Sequence, residues 1–237
     1  MPFAYYGAKQ RIASKYPAPT YGTVIEPFAG SAGYSMKHIA NLDRVILVEI
    51  DPAVVDIWHR LKSMTADELD EIDPLETDER TTEPLVAGLA GGSSLKATLS
   101  GRSRKITPWM RHKWPQKKKM LRRVLPYLDR VEVVCGDYRT APMMEVTYFI
   151  DPPYQLLAPN LTRSLSDQAG NAYRFGSSGI DYDELGEWCR QLPGQVIACE
   201  QEPANWLPFH PLTTNRNQNV VQRTEVIWTN EGQIIQP

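Results

Sequence analysis

An apolar, β-rich run that stops at an acid and two prolines most constrains how this chain can fold. The run from Val146 to Ile150 is followed directly by Asp151, Pro152, Pro153 and Tyr154. Because proline cannot donate the hydrogen bond that would continue a ladder, the pattern predicts a buried strand whose carboxyl end opens onto a site. The Asp151 carboxylate and the Pro152 carbonyl would be fixed acceptors beside the Tyr154 ring, which suits a planar group bearing an NH₂. The alternative is a strand end with an ordinary proline-rich turn.

Length and cysteine content bound the class of protein. A chain of 237 residues can bury the core of one large domain, or of one domain with an insertion. Its three cysteines have no metal-ligand spacing, which favours a reducing, cytoplasmic setting and no bound metal. We expect neither secretion nor membrane spanning, because the sequence has no signal-peptide pattern at its start and no apolar run long enough to cross a bilayer.

Charge is sharply segregated along the chain, although the net charge is only −2. The stretch from Asp67 to Glu83 holds nine acids and one arginine, whereas the stretch from Lys96 to Arg123 holds eleven lysines and arginines and no acid. This asymmetry predicts a polyanion-binding face. Trp109 and Trp114 interleave with the basic residues, so we interpret the basic stretch as a phosphate-contacting segment. A solvated helix face with two core tryptophans is the alternative.

The N-terminal part of the chain has the pattern of a nucleotide-binding βαβ unit. A predicted strand from Thr23 to Phe28 runs into a turn containing Gly30 and Gly33, and helical spacing follows from Tyr34 to Leu42. A second predicted strand brings Glu49 to its end, about 20 residues after the turn, where an acid can bind a pair of ribose hydroxyls. The glycine spacing of dinucleotide enzymes is missing, which favours a cofactor without a pyrophosphate. Without the turn, Glu49 would be read as a surface acid.

Further elements complete an α/β pattern around an irregular insertion. Periodicity is poor from 62 to about 110. The predicted elements after it are a helix from Lys117 to Leu128, a strand from Val131 to Asp137, the strand before Asp151, a helix from Asp181 to Leu192, a strand from Gln195 to Glu200 and a closing hairpin within Asn219 to Thr229. In a doubly wound sheet the acids Glu49, Asp137 and Asp151 would converge on one crevice, because the carboxyl ends of the strands share an edge. The polar stretch from 155 to 180 is interpreted as a lid.

Together these motifs resemble a known enzyme family. The Tyr-x-Gly-x-Lys motif from Tyr5 to Lys9, the turn from Glu26 to Gly33 and the tetrapeptide from Asp151 to Tyr154 stand in the order typical of Dam-type DNA adenine-N6 methyltransferases, which use S-adenosylmethionine. The resemblance implies a Rossmann-like, doubly wound α/β sheet with a small, mostly helical insertion. It implies a catalytic domain of residues 1–61 and 124–237 and an inserted target-recognition region of residues 62–123.

The resemblance also implies a role for each motif residue in cofactor binding. Tyr5 and Lys9 would hold the methionine end of S-adenosylmethionine, and Glu49 would take the ribose hydroxyls. The other implied contacts are Phe28, Gly30 and Gly33 around the cofactor, Ile50 against its adenine, and Asp137 as acceptor from its amino group. Ala32 departs from the family pattern, which usually has a glycine there, so the turn must accept a Cβ at that position.

The implied chemistry follows from the properties of the target amine. The N6 lone pair of adenine is delocalised into the ring, so acceptors on both N–H groups would favour a more tetrahedral nitrogen that can attack a sulfonium methyl. Asp151 and the Pro152 carbonyl would be those acceptors, with Pro153 pinning the turn and Tyr154 stacking on a base flipped out of DNA. No metal is required.

The predicted DNA contacts come from the basic stretch and the predicted lid. They are Lys117, Lys118 and Lys119 with phosphates, Arg102, Arg104, Arg111 and Arg122 as candidates for base readout, and Arg174 in the lid. Three alternatives stay open on the same residues: an RNA adenine-N6 methyltransferase, a DNA cytosine-N4 methyltransferase, and a non-catalytic nucleic-acid-binding module.

Overall fold

A computed structural model describes residues 2–3, 5, 9, 12–72, 108–155, 175–216 and 222–231 of this chain. Within these ranges the chain forms one seven-stranded sheet. Its strands are β1 (Thr23–Glu26), β2 (Arg44–Glu49), β3 (Val131–Cys135), β4 (Val146–Ile150), β5 (Gly194–Gln201), β6 (His210–Arg216) and β7 (Gln222–Thr229).

The strand order is β3-β2-β1-β4-β5-β7-β6. The first five strands in this order run parallel, β7 pairs antiparallel with β5, and β6 pairs antiparallel with β7. The chain moves outward from β1 to β3 on one side and then returns to β4 on the other side of β1. Such a reversal opens a crevice at the carboxyl ends of the strands. The order confirms the predicted Rossmann-like, doubly wound α/β fold.

The described helices are α1 (Gly33–His38), α2 (Pro52–Ser63), α3 (Ala66–Glu71), α4 (Pro108–Val124) and α5 (Tyr182–Gln191). Side-chain acceptors cap several of their N-termini. Asp51 accepts from the backbone N–H of Ala53 at 3.0 Å at the start of α2, and Thr65 and Glu68 form a capping box on α3. Asp181 accepts from two backbone N–H groups at the start of α5. These helices therefore begin at capping residues that are visible in the local sequence.

Hydrophobic side chains pack on both faces of the sheet. β4 is buried along its whole length, and its side chains alternate between the two faces as a strand requires. Phe149 joins a cluster with Trp58 of α2, whereas Tyr148 joins the opposite cluster with Leu185 of α5. The tetrapeptide that follows β4 is therefore held by a strand that packs on both sides.

The helix predicted near the end of the expected insertion has different boundaries in the structure. Where the structure describes it, the helix predicted from Lys117 to Leu128 spans Pro108–Val124 and continues as a 3₁₀ segment from Leu125 to Arg130. Pro115 lies inside this helix, although a proline in a helix interior removes one backbone hydrogen bond and is usually found at a helix boundary. Residues 73–107 lie outside the described part of the chain.

The described helices of the predicted insertion pack onto the same core as the rest of the described sheet. Leu69 of α3 and Leu121 of α4 are buried in one cluster with Trp58. Trp114 is also buried there, and its indole N–H donates to the carbonyl of Ile72 at 3.1 Å. Trp114 is therefore a core residue, as the alternative interpretation of the basic stretch had it. The domain boundaries at 62 and 123 stay a prediction.

Across the described ranges, no helix has the length and apolar character needed to cross a membrane.

Candidate active site

A cavity of about 330 Å³ lies at the carboxyl ends of the parallel strands. It is bounded by the segments that follow β1, β2, β3 and β4, together with residues 175–180. The cavity wall includes every residue predicted to bind the cofactor, namely Tyr5, Lys9, Phe28, Gly30, Gly33, Glu49, Ile50 and Asp137. Asp151 and Pro153 of the tetrapeptide line the same space. The structure thus brings together the three strand-end acids that the sequence suggested would converge, while their roles stay predictions.

The turn after β1 is shaped by two residues in the left-handed region. Gly30 has φ of 46°, and a Cβ on it would lie 2.6 Å from a ring carbon of Tyr5, so this position needs glycine. Ala32 has φ of 48° and is fully buried at the N-cap of α1. A left-handed conformation costs an L-residue about 1–2 kcal/mol, so the turn accepts the Cβ at Ala32 with strain.

Glu49 connects the end of β2 to this turn. One of its carboxylate oxygens accepts from the N–H of Gly30 at 2.8 Å, and the other accepts from the N–H of Asp51 at 2.9 Å. Burial raises the pKa of Glu49, while these backbone donors oppose the shift. A carboxylate offers about four acceptor positions, so Glu49 retains capacity for a ligand hydroxyl. Ile50, which follows, keeps 44% of its surface exposed at the cavity and offers an apolar face.

Asp137 lies beyond β3 in a more open part of the cavity wall. Its carboxylate accepts from the backbone N–H of Arg139 at 2.9 Å and pairs with the guanidinium of the same residue at 2.7 Å. Next to it, the rings of Phe28 and Tyr138 stack with centroids 5.4 Å apart. Phe28 is therefore fixed by aromatic packing, and Asp137 already has a cationic partner.

Asp151 forms an ion pair with Lys9 across the inner end of the cavity. The Nζ of Lys9 lies 2.7 Å from Oδ1 of Asp151, and the two side chains are 7% and 18% exposed. Burial raises the pKa of Asp151 to about 6, with Lys9 opposing the shift and Glu225 adding to it. Burial alone would lower the pKa of Lys9, but the charges of Asp151 and Glu225 raise it overall. Lys9 therefore stays charged and favours the ionised form of Asp151.

Contacts from three directions hold the rest of the tetrapeptide. The Tyr154 hydroxyl donates to Oε1 of Glu225 at 2.5 Å, and the Nζ of Lys9 lies 4.5 Å from the centroid of the Tyr154 ring. The hydroxyl of Tyr182 donates to the carbonyl of Pro153. The backbone N–H of Gln155 donates to a buried carboxylate, Glu200, at 2.7 Å. Pro152 and Pro153 are buried between these contacts, so the segment is rigid.

Glu26 and Glu225 lie at the site, although neither was predicted to have a role there. Glu26, the last residue of β1, lines the cavity and is 2% exposed, and burial raises its pKa to about 8. Its position directly before Pro27 is the same strand-end signal that marked Asp151, so the sequence could have suggested it. Glu225 lies in the middle of β7, where no local pattern distinguishes it from an outward-facing strand residue.

The predicted DNA-binding residues lie apart from the cavity wall or beyond the described residues. Arg102, Arg104 and Arg174 lie outside the described ranges, as does the side chain of Arg111. On α4 the guanidinium of Arg122 pairs with the carboxylate of Asp70 through two nitrogens, and Lys118 donates to the Asp70 carbonyl at 2.6 Å. Base readout by Arg122 would require its pair with Asp70 to open. Lys119 is exposed, and the roles of all these residues stay predictions.

Comparison with known proteins gives a structural likeness at low similarity. No protein-family model and no curated protein sequence matches this chain. Among solved structures, it is similar to a provisionally described methyltransferase from Pseudomonas syringae, with a TM-score of 0.40, 11% identity, and coverage of 94% of this chain and 96% of the other. It is also similar to an RNA methyltransferase from Salinibacter ruber in complex with S-adenosyl-L-homocysteine, with a TM-score of 0.37, 12% identity, and coverage of 91% and 84%. Because the TM-scores and sequence identities are low, the fold class is assigned from the strand order. The candidate site is described from its own geometry.

Proposed function

We propose that this chain transfers a methyl group from S-adenosylmethionine to the N6 amine of an adenine flipped out of DNA. The proposal rests chiefly on one observation: a single cavity is lined both by Glu49 and Asp137 and by the ion pair of Lys9 with Asp151. A cofactor in this cavity would lie alongside a rigid, acceptor-rich segment that follows a buried strand. The choice of adenine N6 in DNA as the methyl acceptor is based on the resemblance of the tetrapeptide, and of its order in the chain, to the Dam-type family.

The cavity residues fit S-adenosylmethionine chemically. Glu26 is a buried carboxyl with a pKa raised to about 8, and a cationic ligand group such as the cofactor's ammonium would favour its ionised form. Glu49 has acceptor capacity left for a ribose hydroxyl, and the exposed face of Ile50 suits an adenine ring. When bound, S-adenosylmethionine supplies an electrophilic methyl group on a positively charged sulfur.

The tetrapeptide would activate and orient the substrate amine. Ionised Asp151 would accept from one N–H of the amine and the Pro152 carbonyl from the other, which makes the nitrogen more tetrahedral and its lone pair more available. Lys9 would hold the Asp151 carboxylate in place and keep it ionised. The Tyr154 ring would stack on the base, since an adenine in a duplex must leave the stack before its N6 can reach a protein cavity.

The cations of α4 would contact the phosphates of the DNA backbone. Lys119 is exposed, and Lys117 and Lys118 are half-buried beside it on the same helix. Phosphate contacts of this kind position a duplex without reading its sequence. Burial lowers the pKa of Lys117 to about 8, so a nearby phosphate would favour its charged form.

The test is methyl transfer from labelled S-adenosylmethionine to a panel of nucleic acids, followed by analysis of the product nucleosides. Duplex DNA from a methylation-free host and folded RNA should be compared at the same concentration, with Asp151→Ala as the negative control. N6-methyldeoxyadenosine is the expected product. If the product is N6-methyladenosine in RNA or N4-methyldeoxycytidine in DNA, the protein is a methyltransferase but its proposed substrate is wrong. Nucleic-acid binding without any methylated product would instead support the non-catalytic alternative.

A further inference from the structure

Three side chains, from the N-terminal stretch and from the tetrapeptide after β4, converge on Glu225 of β7. Its Oε1 accepts from the Tyr16 hydroxyl at 2.7 Å and from the Tyr154 hydroxyl at 2.5 Å. The Nζ of Lys9 lies 3.6 Å from the same oxygen, and the Glu225 side chain is only 11% exposed. A carboxylate in the middle of a strand thus contacts two residues of the proposed active site.

The backbone of Glu225 is held by strands on both sides. Glu225 pairs with Gln201 of β5 and with Thr213 of β6. Its side chain is anchored from the core as well, because the ring of its donor Tyr16 packs edge-on against Phe149 of β4 with centroids 5.1 Å apart. The position of this carboxylate is therefore set by the sheet and its core.

We propose that Glu225 is the positioning residue of the active site, which fixes the direction of the Tyr154 ring and the place of Lys9 against Asp151. This inference rests on the proposed function, because it assigns how that site is aligned. Glu225 has no direct contact with the substrate in this scheme and acts through Tyr154 and Lys9.

The bond to Tyr154 orders the stacking ring before a base arrives. A tyrosine ring rotates about its side-chain torsions, and an acceptor at the far end of the ring removes that freedom. Burial raises the pKa of Tyr154 and of Tyr16, so both hydroxyls stay protonated and remain donors to Glu225. A ring ordered in advance binds its partner without a further loss of entropy on binding.

The contact with Lys9 sets the balance of charge around Asp151. Lys9 lies nearer to Asp151 than to Glu225, at 2.7 Å against 3.6 Å, and its ammonium also lies over the Tyr154 ring. An ammonium has three donors, so it can serve both carboxylates at once. If Glu225 is removed, Lys9 keeps Asp151 but loses the second of these two carboxylates. The hydroxyls of Tyr16 and Tyr154 also lose their acceptor.

A merely structural role for Glu225 makes a different prediction from a positioning role. If the residue only stabilised β7, its loss would lower the unfolding temperature and reduce the amount of active protein without coupling to Tyr154. If it acts through the Tyr154 hydroxyl, its loss and the loss of that hydroxyl would damage the same step. The two effects would then fail to add.

The experiment is a double-mutant cycle of Glu225→Ala and Tyr154→Phe, measured as the single-turnover rate of methyl transfer at saturating DNA and cofactor. Each single variant should be slower by about tenfold or more, the loss expected for a hydrogen bond to a charged group. The double variant should be within about twofold of the slower single variant. Glu225→Gln keeps an acceptor oxygen and should recover part of the rate. Rates that multiply in the double variant would overturn the inference, as would a Glu225→Ala rate equal to that of the wild type.

Another tyrosine and glutamate pair in the same protein provides the matched control. The Tyr21 hydroxyl donates to Oε1 of Glu145 at 3.1 Å on an exposed surface. Tyr21→Phe and Glu145→Ala should each keep the rate within about twofold of wild type, because exposed pairs of this kind contribute little. A comparable loss of rate in this control pair would show that the effect at Glu225 is not specific to the site.

A spectroscopic readout separates this inference from the proposed function. In protein labelled with 3-fluorotyrosine, the fluorine signal of Tyr154 is the one missing from Tyr154→Phe. This signal should shift in Glu225→Gln and stay in place in Glu145→Ala. A Tyr154 signal that does not move would overturn the inference even if the protein is an active methyltransferase. Wild-type protein that methylates no nucleic acid would overturn the proposed function, while the fluorine shift would still report the contact between Tyr154 and Glu225.

Discussion

The ammonium of Lys9 and the carboxylate of Asp151 form a buried ion pair at 2.7 Å. This contact joins the N-terminal Tyr-x-Gly-x-Lys motif to the tetrapeptide after β4, and both residues line the same cavity. Taking charges out of water is costly, and removing one partner of a buried pair leaves the other charge uncompensated. Because burying these two charges costs desolvation energy, we expect the pair to have a role in the site and not only in stability.

Asp151→Ala should abolish methyl transfer and leave the affinity for S-adenosylmethionine within a few-fold of wild type. Asp151 is proposed to contact the substrate amine, whereas Glu49 and the turn after β1 are proposed to supply much of the cofactor pocket. Single-turnover kinetics and calorimetry measure the two effects. Asp56→Ala, on the exposed face of α2, is the matched control and should change neither. Retention of more than about a tenth of the wild-type rate would remove Asp151 from this role.

The rate of methyl transfer should fall as the pH is lowered through about 6. Burial raises the pKa of Asp151 to about 6, and only the ionised carboxyl can accept from the amine without a competing proton. Activity should therefore be present above this pKa and lost below it. The measurement is single-turnover rate against pH, with the unfolding temperature recorded at each pH to exclude acid unfolding. A rate that stays flat between about pH 5 and about pH 8 would contradict the assignment.

Glu49→Ala should raise the dissociation constant for S-adenosylmethionine by about tenfold or more, because hydrogen bonds to a charged acceptor are among the stronger ones. DNA affinity should change little. Glu49 also accepts from the Gly30 and Asp51 N–H groups, so the variant should lose some stability as well. Asp51→Ala is the informative comparison, since Asp51 lines the cavity and caps α2. Calorimetry that shows weak binding in Asp51→Ala and normal binding in Glu49→Ala would assign the ribose to Asp51.

Gly30→Ala should lower both stability and cofactor affinity. Its Cβ would lie 2.6 Å from the Tyr5 ring, and its φ of 46° costs an L-residue about 1–2 kcal/mol. Gly179→Ala is the matched control for stability, because a Cβ there meets no atom within 4 Å and its φ needs no glycine. Thermal unfolding measures the first effect and calorimetry the second. Equal unfolding temperatures for the two variants would show that the turn relaxes at no cost.

Replacing Lys117, Lys118 and Lys119 with alanine should weaken binding to all DNA sequences alike. Each lost phosphate contact should flatten the slope of log affinity against log salt concentration by roughly 0.9. Site preference should survive, because phosphate contacts carry no sequence information. Affinity measured at several salt concentrations is the test, with Lys15→Ala on a different surface as the control. A triple variant with the affinity and slope of wild type would place the DNA elsewhere, for example along the segment around Arg174.

Short-range patterns in the sequence were enough to predict the framework of the site. Strand β4 lies where the apolar run ends at Asp151, and Asp51 caps α2 directly before Pro52. These features depend on residues close together in the chain, since proline, glycine and capping acids act on their immediate backbone. The placing of Glu49, Asp137 and Asp151 at one edge then follows from parallel strands.

Long-range packing decided what these residues contact. Glu225 reaches Tyr154 only because β7 inserts between β5 and β6 in a fixed register, and no pattern around residue 225 encodes that neighbour. Arg122 likewise pairs with Asp70, although the two residues belong to an acidic and a basic stretch that are well separated in the sequence. A side chain's charge and its place along a strand are local properties, whereas its partner is set by whichever distant element the sheet and core bring within reach.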